Sequence, residues 1–170
     1  MPHAIRLLVL DVDGVLTDGR LYFGPRGEAL KVFHVRDGNG IVQLRRAGVA
    51  VVVISGRRSP MVAVRCRELG VQHVYQGVRD KLAVLRRLCT RLKVPLTACA
   101  AVGDDLPDLP VLHAVALSFA VADAHVQVRR AARLVTTLPG GLGAVREVCD
   151  ELLARHARAA RVPAARARPR

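Results

Sequence analysis

The sequence predicts an α/β fold with a three-layer, Rossmann-like parallel sheet, helices on both faces and a protruding β-hairpin. Two observations carry this prediction. Short apolar segments rich in Val, Leu and Ile alternate along the chain with segments whose apolar residues recur at helical spacing. The short segments are apolar throughout, as expected of strands buried on both faces. Repetition of strand, helix and strand at this period is typical of parallel strands joined by helical crossovers.

Four strands and three helices can be placed from these patterns. The predicted strands are residues 5–10, 49–54, 72–75 and 98–102. The predicted helices are residues 41–46, 59–69 and 81–92. Gly48 and Gly70 follow the first two helices and Pro95 follows the third, and these residue types commonly end helices.

One segment interrupts the alternation soon after the first strand. Residues 21–23 and 29–35 flank the sequence Gly-Pro-Arg-Gly at residues 24–27. Apolar runs on either side of a turn rich in Gly and Pro are typical of a β-hairpin. We therefore expect a hairpin that could stand out from the domain.

The length and composition indicate the number of domains and the cellular location. The 170 residues suit one domain, and no apolar run approaches the roughly 20 residues of a membrane-spanning helix. No secretory signal precedes the first strand, and the four cysteines form no CxxC pair that would indicate zinc. We expect a cytoplasmic protein with reduced thiols.

Part of the net charge of +13 lies at the C-terminal end, where six arginines and one acid fall in the last twenty residues, which leaves +8 for residues 1–150. That end is almost only Ala, Arg and Pro and cannot build a core, so we predict a domain over residues 1–156 and a basic, disordered tail over 157–170. Aromatic residues make up 3% of the chain and Trp is absent. Non-specific attraction to polyanions is plausible, but specific nucleic-acid binding is not expected.

Acidic residues follow the first strand directly, in the sequence Asp-Val-Asp-Gly-Val-Leu-Thr-Asp that begins at Asp11. In open α/β sheets, ligands bind at the carboxyl ends of the strands. Asp11 and Asp13 concentrate negative charge that a cation or a shifted pKa would make tolerable. Asp and Gly are also common in turns, so a purely structural turn is the alternative.

The later predicted strands also lead into residues that suit a phosphate site. Ser55, Gly56 and Arg57 offer a hydroxyl, a backbone N–H and a guanidinium. Lys81 begins the helix after the third strand, and Gly-Asp-Asp-Leu-Pro-Asp follows the fourth at residues 103–108. Taken singly, Ser55 could cap a helix and Lys81 could be a solvated charge. At successive strand ends, together they indicate chemistry on a phosphate.

These motifs resemble those of the haloacid dehalogenase superfamily of phosphohydrolases, whose members carry DxDG(V/T), Ser or Thr, Lys and GDDxxD. All four are present here. Five longer segments narrow the resemblance to sugar-acid phosphatases of that superfamily, over about residues 5–153: DVDGVLTDG, FHVRDG, SGR, SFAVADA and GGLGAVRE. The resemblance implies a cytoplasmic enzyme of lipopolysaccharide precursor synthesis that removes phosphate from a sugar acid.

The resemblance also implies a mechanism and a Mg²⁺ cofactor. Asp11 is expected to attack phosphorus and form an aspartyl-phosphate. Asp13 is expected to protonate the leaving sugar oxygen and then to deprotonate water. Mg²⁺ is expected on the carboxylates of Asp11 and Asp104 and on the backbone carbonyl of Asp13. Asp105 and Asp108 are expected to orient these groups rather than to bind the metal.

Further residues are expected to bind the substrate together with Asp13. The Ser55 hydroxyl, the Gly56 N–H and the Lys81 ammonium would contact the phosphoryl oxygens. Arg57 and Arg65 are eight residues apart, so they would share a helix face near the sugar acid if that helix begins early enough. Two solvated arginines are the alternative.

No insertion is long enough for the separate cap domain that shields the site in most superfamily members. The resemblance instead implies a homotetramer whose hairpins and neighbouring subunits close the site. His34 and Arg36, which follow the hairpin, suit a structural role and a substrate contact equally. The arginine-rich ending departs from the tails of the relatives.

Several alternatives stay open on sequence grounds. The same chemistry could act on a sialic-acid-like sugar 9-phosphate or on another phosphate monoester, such as a nucleic-acid 3′-phosphate. The domain could be a non-catalytic assembly module, although Asp13 and Asp104 are both present. The basic chain could also bind nucleic acid through its charge.

Overall fold

The computed structural model describes the backbone of residues 4–161 and the side chains of residues 4–158. In chain order the elements are β1 (Leu7–Leu10), β2 (Tyr22–Gly24), β3 (Gly27–Leu30), α1 (Val35–Arg46), β4 (Ala50–Ser55), α2 (Pro60–Glu68), β5 (His73–Gln76), α3 (Lys81–Leu92), β6 (Cys99–Gly103), α4 (Leu109–Ala114), β7 (Leu117–Ala120), α5 (Val126–Ala131), β8 (Leu134–Val135) and α6 (Ala144–Arg161). Short 3₁₀ turns cover Leu96–Ala98 and Leu106–Asp108.

Six strands form one parallel sheet in the order β5-β4-β1-β6-β7-β8. Every residue of β1, β6 and β7 is buried. Full burial follows from cover on both faces and explains why β1 and β6 carry no polar side chain. The predicted fold class is confirmed.

Helices cover both faces because the crossovers run in two directions. The chain passes from β1 to β4 and β5 on one side, then returns past β1 to β6, β7 and β8. Right-handed crossovers in opposite directions place α1 and α2 on one face and α3, α4 and α5 on the other. Helix α6 returns to pack against α1. Within residues 4–161, only the β2–β3 hairpin lies outside the three layers.

Helix α1 begins at Val35, earlier than the predicted start at residue 41. Gly38 and Gly40 lower its intrinsic helix propensity, which hid this first turn in the sequence. Packing provides the reason for at least one of these glycines. A Cβ on Gly40 would lie 3.0 Å from the Arg146 side chain and 3.1 Å from that of Cys149, both on α6. The predicted hairpin strand over residues 29–35 ends at Leu30 instead, and residues 31–34 form a short connection to α1.

The predicted C-terminal boundary needs a correction. Helix α6 extends to Arg161, so residues 157–161 are helical and not disordered. Buried residues at helical spacing hold its first half against the domain: Val145, Val148, Cys149 and Leu152. The rest of the predicted tail, residues 162–170, lies outside the described residues. Among residues 4–161, no helix has the length and apolar composition that a membrane crossing requires.

The hairpin pairs β2 with β3 in antiparallel fashion across a turn at residues 25 and 26. It exposes several large apolar side chains, among them Phe23 and Leu30. The chain then turns back to the domain, where Lys31 is buried. The hairpin therefore has an exposed tip and a base that reaches the carboxyl edge of the sheet.

Candidate active site

Three carboxylates meet at the carboxyl edge of the sheet. Asp11 follows β1 and Asp104 follows β6, and these strands are neighbours. Asp108 lies in the 3₁₀ turn just beyond Asp104. One oxygen from each of the three carboxylates lies within 4.8 Å of the others. Sheet topology therefore brings together acids that are far apart in sequence.

Lys81 joins two of these acids. Its Nζ lies 2.9 Å from Asp11 Oδ1 and 2.7 Å from Asp108 Oδ1. The side chain of Asp80 accepts a hydrogen bond from the Ala83 N–H and so fixes the start of α3 at Lys81. Burial of Lys81 acts to lower its pKa, but the two carboxylates outweigh burial and the pKa is raised. Lys81 is thus a cation between Asp11 and Asp108.

Asp108 organises the loop that carries Asp104. Its Oδ2 accepts hydrogen bonds from the backbone N–H groups of Asp104 at 3.1 Å and Asp105 at 3.3 Å. Since Oδ1 binds Lys81, both oxygens of Asp108 are engaged. Among the described residues, no hydrogen bond or ion pair reaches the Asp104 carboxylate. Asp104 is therefore better placed than Asp108 to bind a ligand.

Crowding of the acids raises two pKa values. Burial, then the charge of Asp108, raises the pKa of Asp11 to about 6, although Lys81 acts in the opposite direction. Burial, then the charges of Asp11 and Asp108, raises the pKa of Asp104 to about 8. Both shifts disfavour the ionised carboxylates. A divalent cation between Asp11 and Asp104 would relieve that repulsion.

The donor set and the local backbone fit Mg²⁺. Carboxylate and carbonyl oxygens are the protein ligands that Mg²⁺ prefers. Gly14 has φ +87°, a conformation that glycine adopts without steric cost, and a Cβ at this position would clash with the Asp104 carboxylate. The glycine therefore leaves room for that carboxylate beside the Asp11–Asp13 loop. Asp11 and Asp104 are close enough to hold the ion together, whereas a contribution from the carbonyl of Asp13 stays a prediction.

The strand beside β1 adds the hydroxyl group. Ser55 ends β4, is buried, and accepts a hydrogen bond from the Arg57 N–H at 3.3 Å. Gly56 and Arg57 follow in an exposed turn. The Arg57 side chain is 42% exposed, and its Nε lies 3.8 Å from Asp13 Oδ2. Ser55, Gly56 and Arg57 thus lie along the same edge as the acids.

Sequence reasoning missed two residues at the base of the hairpin. Lys31 forms an ion pair through Nζ with Asp13 Oδ1 and a second one with Glu28 Oε1 at 2.9 Å. Glu28 Oε1 also lies 3.5 Å from Arg57 Nη2. Burial of Lys31 acts to lower its pKa, but hydrogen bonds to Asp13 and Glu28 and their charges outweigh burial and raise it. The hairpin and the residue after it therefore add one carboxylate, Glu28, and one ammonium, Lys31, to the site.

One signal in the sequence pointed to Lys31. The chain uses Arg for nearly all of its 27 basic residues and has only three lysines, Lys31, Lys81 and Lys93. Two of the three are buried at this edge of the sheet. An ammonium is compact and accepts burial between carboxylates, so a rare lysine in an arginine-rich chain is informative.

The condition under which Arg57 and Arg65 would share a helix face is not met. Helix α2 begins at Pro60, so Arg57 precedes the helix and shares no helix face with Arg65. Arg65 Nη1 lies 2.8 Å from Glu68 Oε2 on its own helix, and Arg65 lines a small cavity with His34. Arg36 is exposed at the start of α1. A substrate contact by Arg65, His34 or Arg36 stays a prediction.

Comparison with known proteins agrees with this architecture. Residues 70–140 match the model of the haloacid dehalogenase-like hydrolase family. The chain is 51% identical over 149 residues to the 3-deoxy-D-manno-octulosonate 8-phosphate phosphatase KdsC of Escherichia coli K12, covering 88% of this chain and 79% of the relative.

The fold is also similar to two solved structures of proteins named 3-deoxy-D-manno-octulosonate 8-phosphate phosphatase. The Yersinia pestis structure has a TM-score of 0.89 and 47% identity, covering 91% of this chain and 83% of its own. The Moraxella catarrhalis structure, a complex with magnesium ion, phosphate ion and KDO, has a TM-score of 0.87 and 41% identity, covering 89% and 87%. The resemblance found in the sequence is confirmed. The chain belongs to the 3-deoxy-D-manno-octulosonate 8-phosphate phosphatases of the haloacid dehalogenase-like hydrolase family.

Proposed function

We propose that this protein hydrolyses 3-deoxy-D-manno-octulosonate 8-phosphate to the free sugar acid and phosphate, with Mg²⁺ as cofactor. The observation that carries the chemistry is the cluster of Asp11, Lys81, Asp104 and Asp108 at the carboxyl edge of the sheet. The 51% identity to a phosphatase named for this substrate supports the choice of sugar.

Asp11 is the nucleophile in this proposal. One of its oxygens bonds to phosphorus while the bond from phosphorus to the sugar oxygen breaks, which gives an aspartyl-phosphate. Lys81 holds Asp11 Oδ1 at 2.9 Å and so orients the carboxylate. The Ser55 hydroxyl and the Gly56 N–H bind the phosphoryl oxygens. Mg²⁺, when bound, supplies positive charge that offsets repulsion between the carboxylate and the phosphate dianion.

Asp13 is the general acid and base. It gives a proton to the sugar oxygen as the electron pair of the broken bond moves to that oxygen, and it later takes a proton from the water that hydrolyses the aspartyl-phosphate. Asp13 lies two residues from the nucleophile and its side chain is partly exposed, as this exchange requires. Arg57, exposed beside Asp13, is a cation available to the carboxylate of the sugar acid.

A phosphate-release assay tests this function. Rates should be highest on 3-deoxy-D-manno-octulosonate 8-phosphate, lower on a sialic-acid-like 9-phosphate and on simple sugar phosphates, and lowest on a 3′-phosphorylated oligonucleotide. Chelation of the metal should stop turnover, and added Mg²⁺ should restore it. A higher rate on the oligonucleotide would refute the sugar-acid assignment. Turnover that survives chelation would refute the role of the metal.

We further infer that the protein acts as a homotetramer in the cytoplasm, in lipopolysaccharide precursor synthesis. The hairpin and the start of α1 support assembly because they expose large apolar side chains: Phe23 in the hairpin is 67% exposed and Val35 in α1 is 78% exposed. Such groups are typical of surfaces that bind another protein. Light scattering should give the mass of four chains, and Phe23→Asp should lower it. A fully active monomer would refute the assembly.

A further inference from the structure

Lys31 has an unusual position for a lysine. Its side chain is only 1% exposed, and its ammonium lies between the carboxylates of Asp13 and Glu28. A buried ammonium is tolerated where carboxylates pair with it and accept its hydrogen bonds. Two acids meet that requirement here, and one of them is the proposed general acid.

The contact makes the two oxygens of Asp13 unequal. Oδ1 accepts the hydrogen bond from Lys31. Among the described residues, Oδ2 accepts no hydrogen bond, and its one ion-pair partner is Arg57, whose Nε is 3.8 Å away. One oxygen is thus held in place, and the other stays available at the partly exposed side of the carboxyl group.

We propose that Lys31 is a positioning residue for Asp13: it fixes Oδ1 so that Oδ2 exchanges the proton with the leaving sugar oxygen. This inference rests on the proposed function, in which Asp13 is the general acid. Proton transfer requires the donor to lie within hydrogen-bond reach of the oxygen that it protonates, so a freely rotating carboxyl group would be a poorer acid.

Glu28 completes the arrangement from β3. It pairs with Lys31 at 2.9 Å and with Arg57 at 3.5 Å, so it links the hairpin base to the loop after β4. Without Glu28, the Lys31 ammonium would keep only one carboxylate. The hairpin therefore contributes to the geometry of the general acid within a single chain.

The leaving group provides a test that a structural role cannot mimic. A sugar alkoxide needs a proton in order to leave, whereas p-nitrophenolate leaves readily without one. The value of kcat/KM reports the steps up to departure of the leaving group. Loss of the positioning residue should therefore lower kcat/KM strongly on the sugar-acid phosphate and on a simple sugar phosphate that lacks the carboxylate assigned to Arg57, and weakly on p-nitrophenyl phosphate.

The experiment compares these three substrates across five variants, one of them Asp13→Asn. Lys31→Met should lower kcat/KM on both sugar phosphates by about tenfold or more, part of the 10²- to 10⁴-fold typical of general acid catalysis, and on p-nitrophenyl phosphate by less than about threefold. Glu28→Gln should give the same pattern with a smaller loss, and it stays informative if Lys31→Met fails to fold. Lys31→Arg should recover part of the lost activity. Arg26→Met, an exposed cation at the hairpin turn, is the matched control and should behave as the wild type.

Asp13→Asn separates this inference from the proposed function. In one outcome, Asp13→Asn lowers kcat/KM selectively on the sugar phosphates, while Lys31→Met and Glu28→Gln lower it equally on the sugar phosphates and on p-nitrophenyl phosphate. Asp13 is then the acid and Lys31 does not position it. If Asp13→Asn itself shows no dependence on the leaving group, the proposed role of Asp13 fails first. A selective loss in all three variants supports the inference.

Discussion

Stabilisation of the protein by Mg²⁺ should increase with pH. In the metal-free protein the pKa of Asp11 is raised to about 6 and that of Asp104 to about 8, both from 3.8. The folded chain therefore keeps protons that the unfolded chain has already lost, and the stability of the metal-free protein falls as pH rises from about 4 to about 8. Mg²⁺ displaces these protons, so the stabilisation of the folded protein by Mg²⁺ grows over the same pH range.

The two pKa values set the size of the effect. Between pH 6 and pH 8, Mg²⁺ displaces on average about one proton, chiefly from Asp104. One proton corresponds to about 1.4 kcal/mol for each pH unit, or about 3 kcal/mol over the interval. For a chain of this length that equals a change of roughly 6–12 °C in the Mg²⁺-induced shift of Tm.

Thermal unfolding at pH 6, 7 and 8, with chelator or with saturating Mg²⁺, measures this shift directly. Asp104→Asn is the control, because it removes the group that supplies most of the proton release. Its Mg²⁺-induced shift should be small and nearly independent of pH. A wild-type shift that is equal at pH 6 and pH 8 would show that Asp11 and Asp104 do not bind the ion together.

Four further predictions concern the site and the C-terminus. Asp11→Asn should abolish turnover without unfolding the protein, because an amide is a poor nucleophile; turnover within tenfold of wild type would exclude the covalent mechanism. Lys81→Met leaves Asp11 and Asp108 without their shared cation, so denaturant unfolding without metal should show a loss of about 3–5 kcal/mol, and an unchanged midpoint would contradict this. Gly14→Ala places a Cβ against the Asp104 carboxylate at φ +87°, so calorimetry should show weaker Mg²⁺ binding, whereas unaltered affinity would mean that the loop adjusts freely. Deletion of residues 162–170 removes three arginines, so retention on heparin should weaken while activity persists, and inactivation would instead assign a role in catalysis to the tail.

The sequence alone predicted the fold class and the acid cluster. Apolar strands alternate with helical segments, and the carboxyl ends of parallel strands share one edge of a sheet. Ser55 ends such a strand, and Asp11, Lys81 and Asp104 follow one directly or through a short loop. Their proximity therefore follows from topology and needs no knowledge of side-chain packing.

Helix boundaries set by packing were harder to predict. Gly38 and Gly40 disfavour a helix locally, yet α1 begins at Val35 because Gly40 allows close approach to α6. Helix α2 begins only at Pro60, which separates Arg57 from the helix that carries Arg65. At α1 the local helix propensity is overruled by packing against a helix that is distant in sequence, whereas the start of α2 agrees with the predicted helix over residues 59–69.

Only the tertiary structure placed Glu28 and Lys31 at the site. Their spacing in the sequence predicts a hairpin strand and says nothing about the direction in which the hairpin folds. The fold turns the hairpin base over the loop after β1, where Lys31 is buried against Asp13. A buried ammonium requires partners, and the two carboxylates that satisfy it come from different parts of the chain. The sequence by itself determined which strand ends carry the acids, whereas the tertiary structure decided that the buried Lys31 pairs with Oδ1 of Asp13.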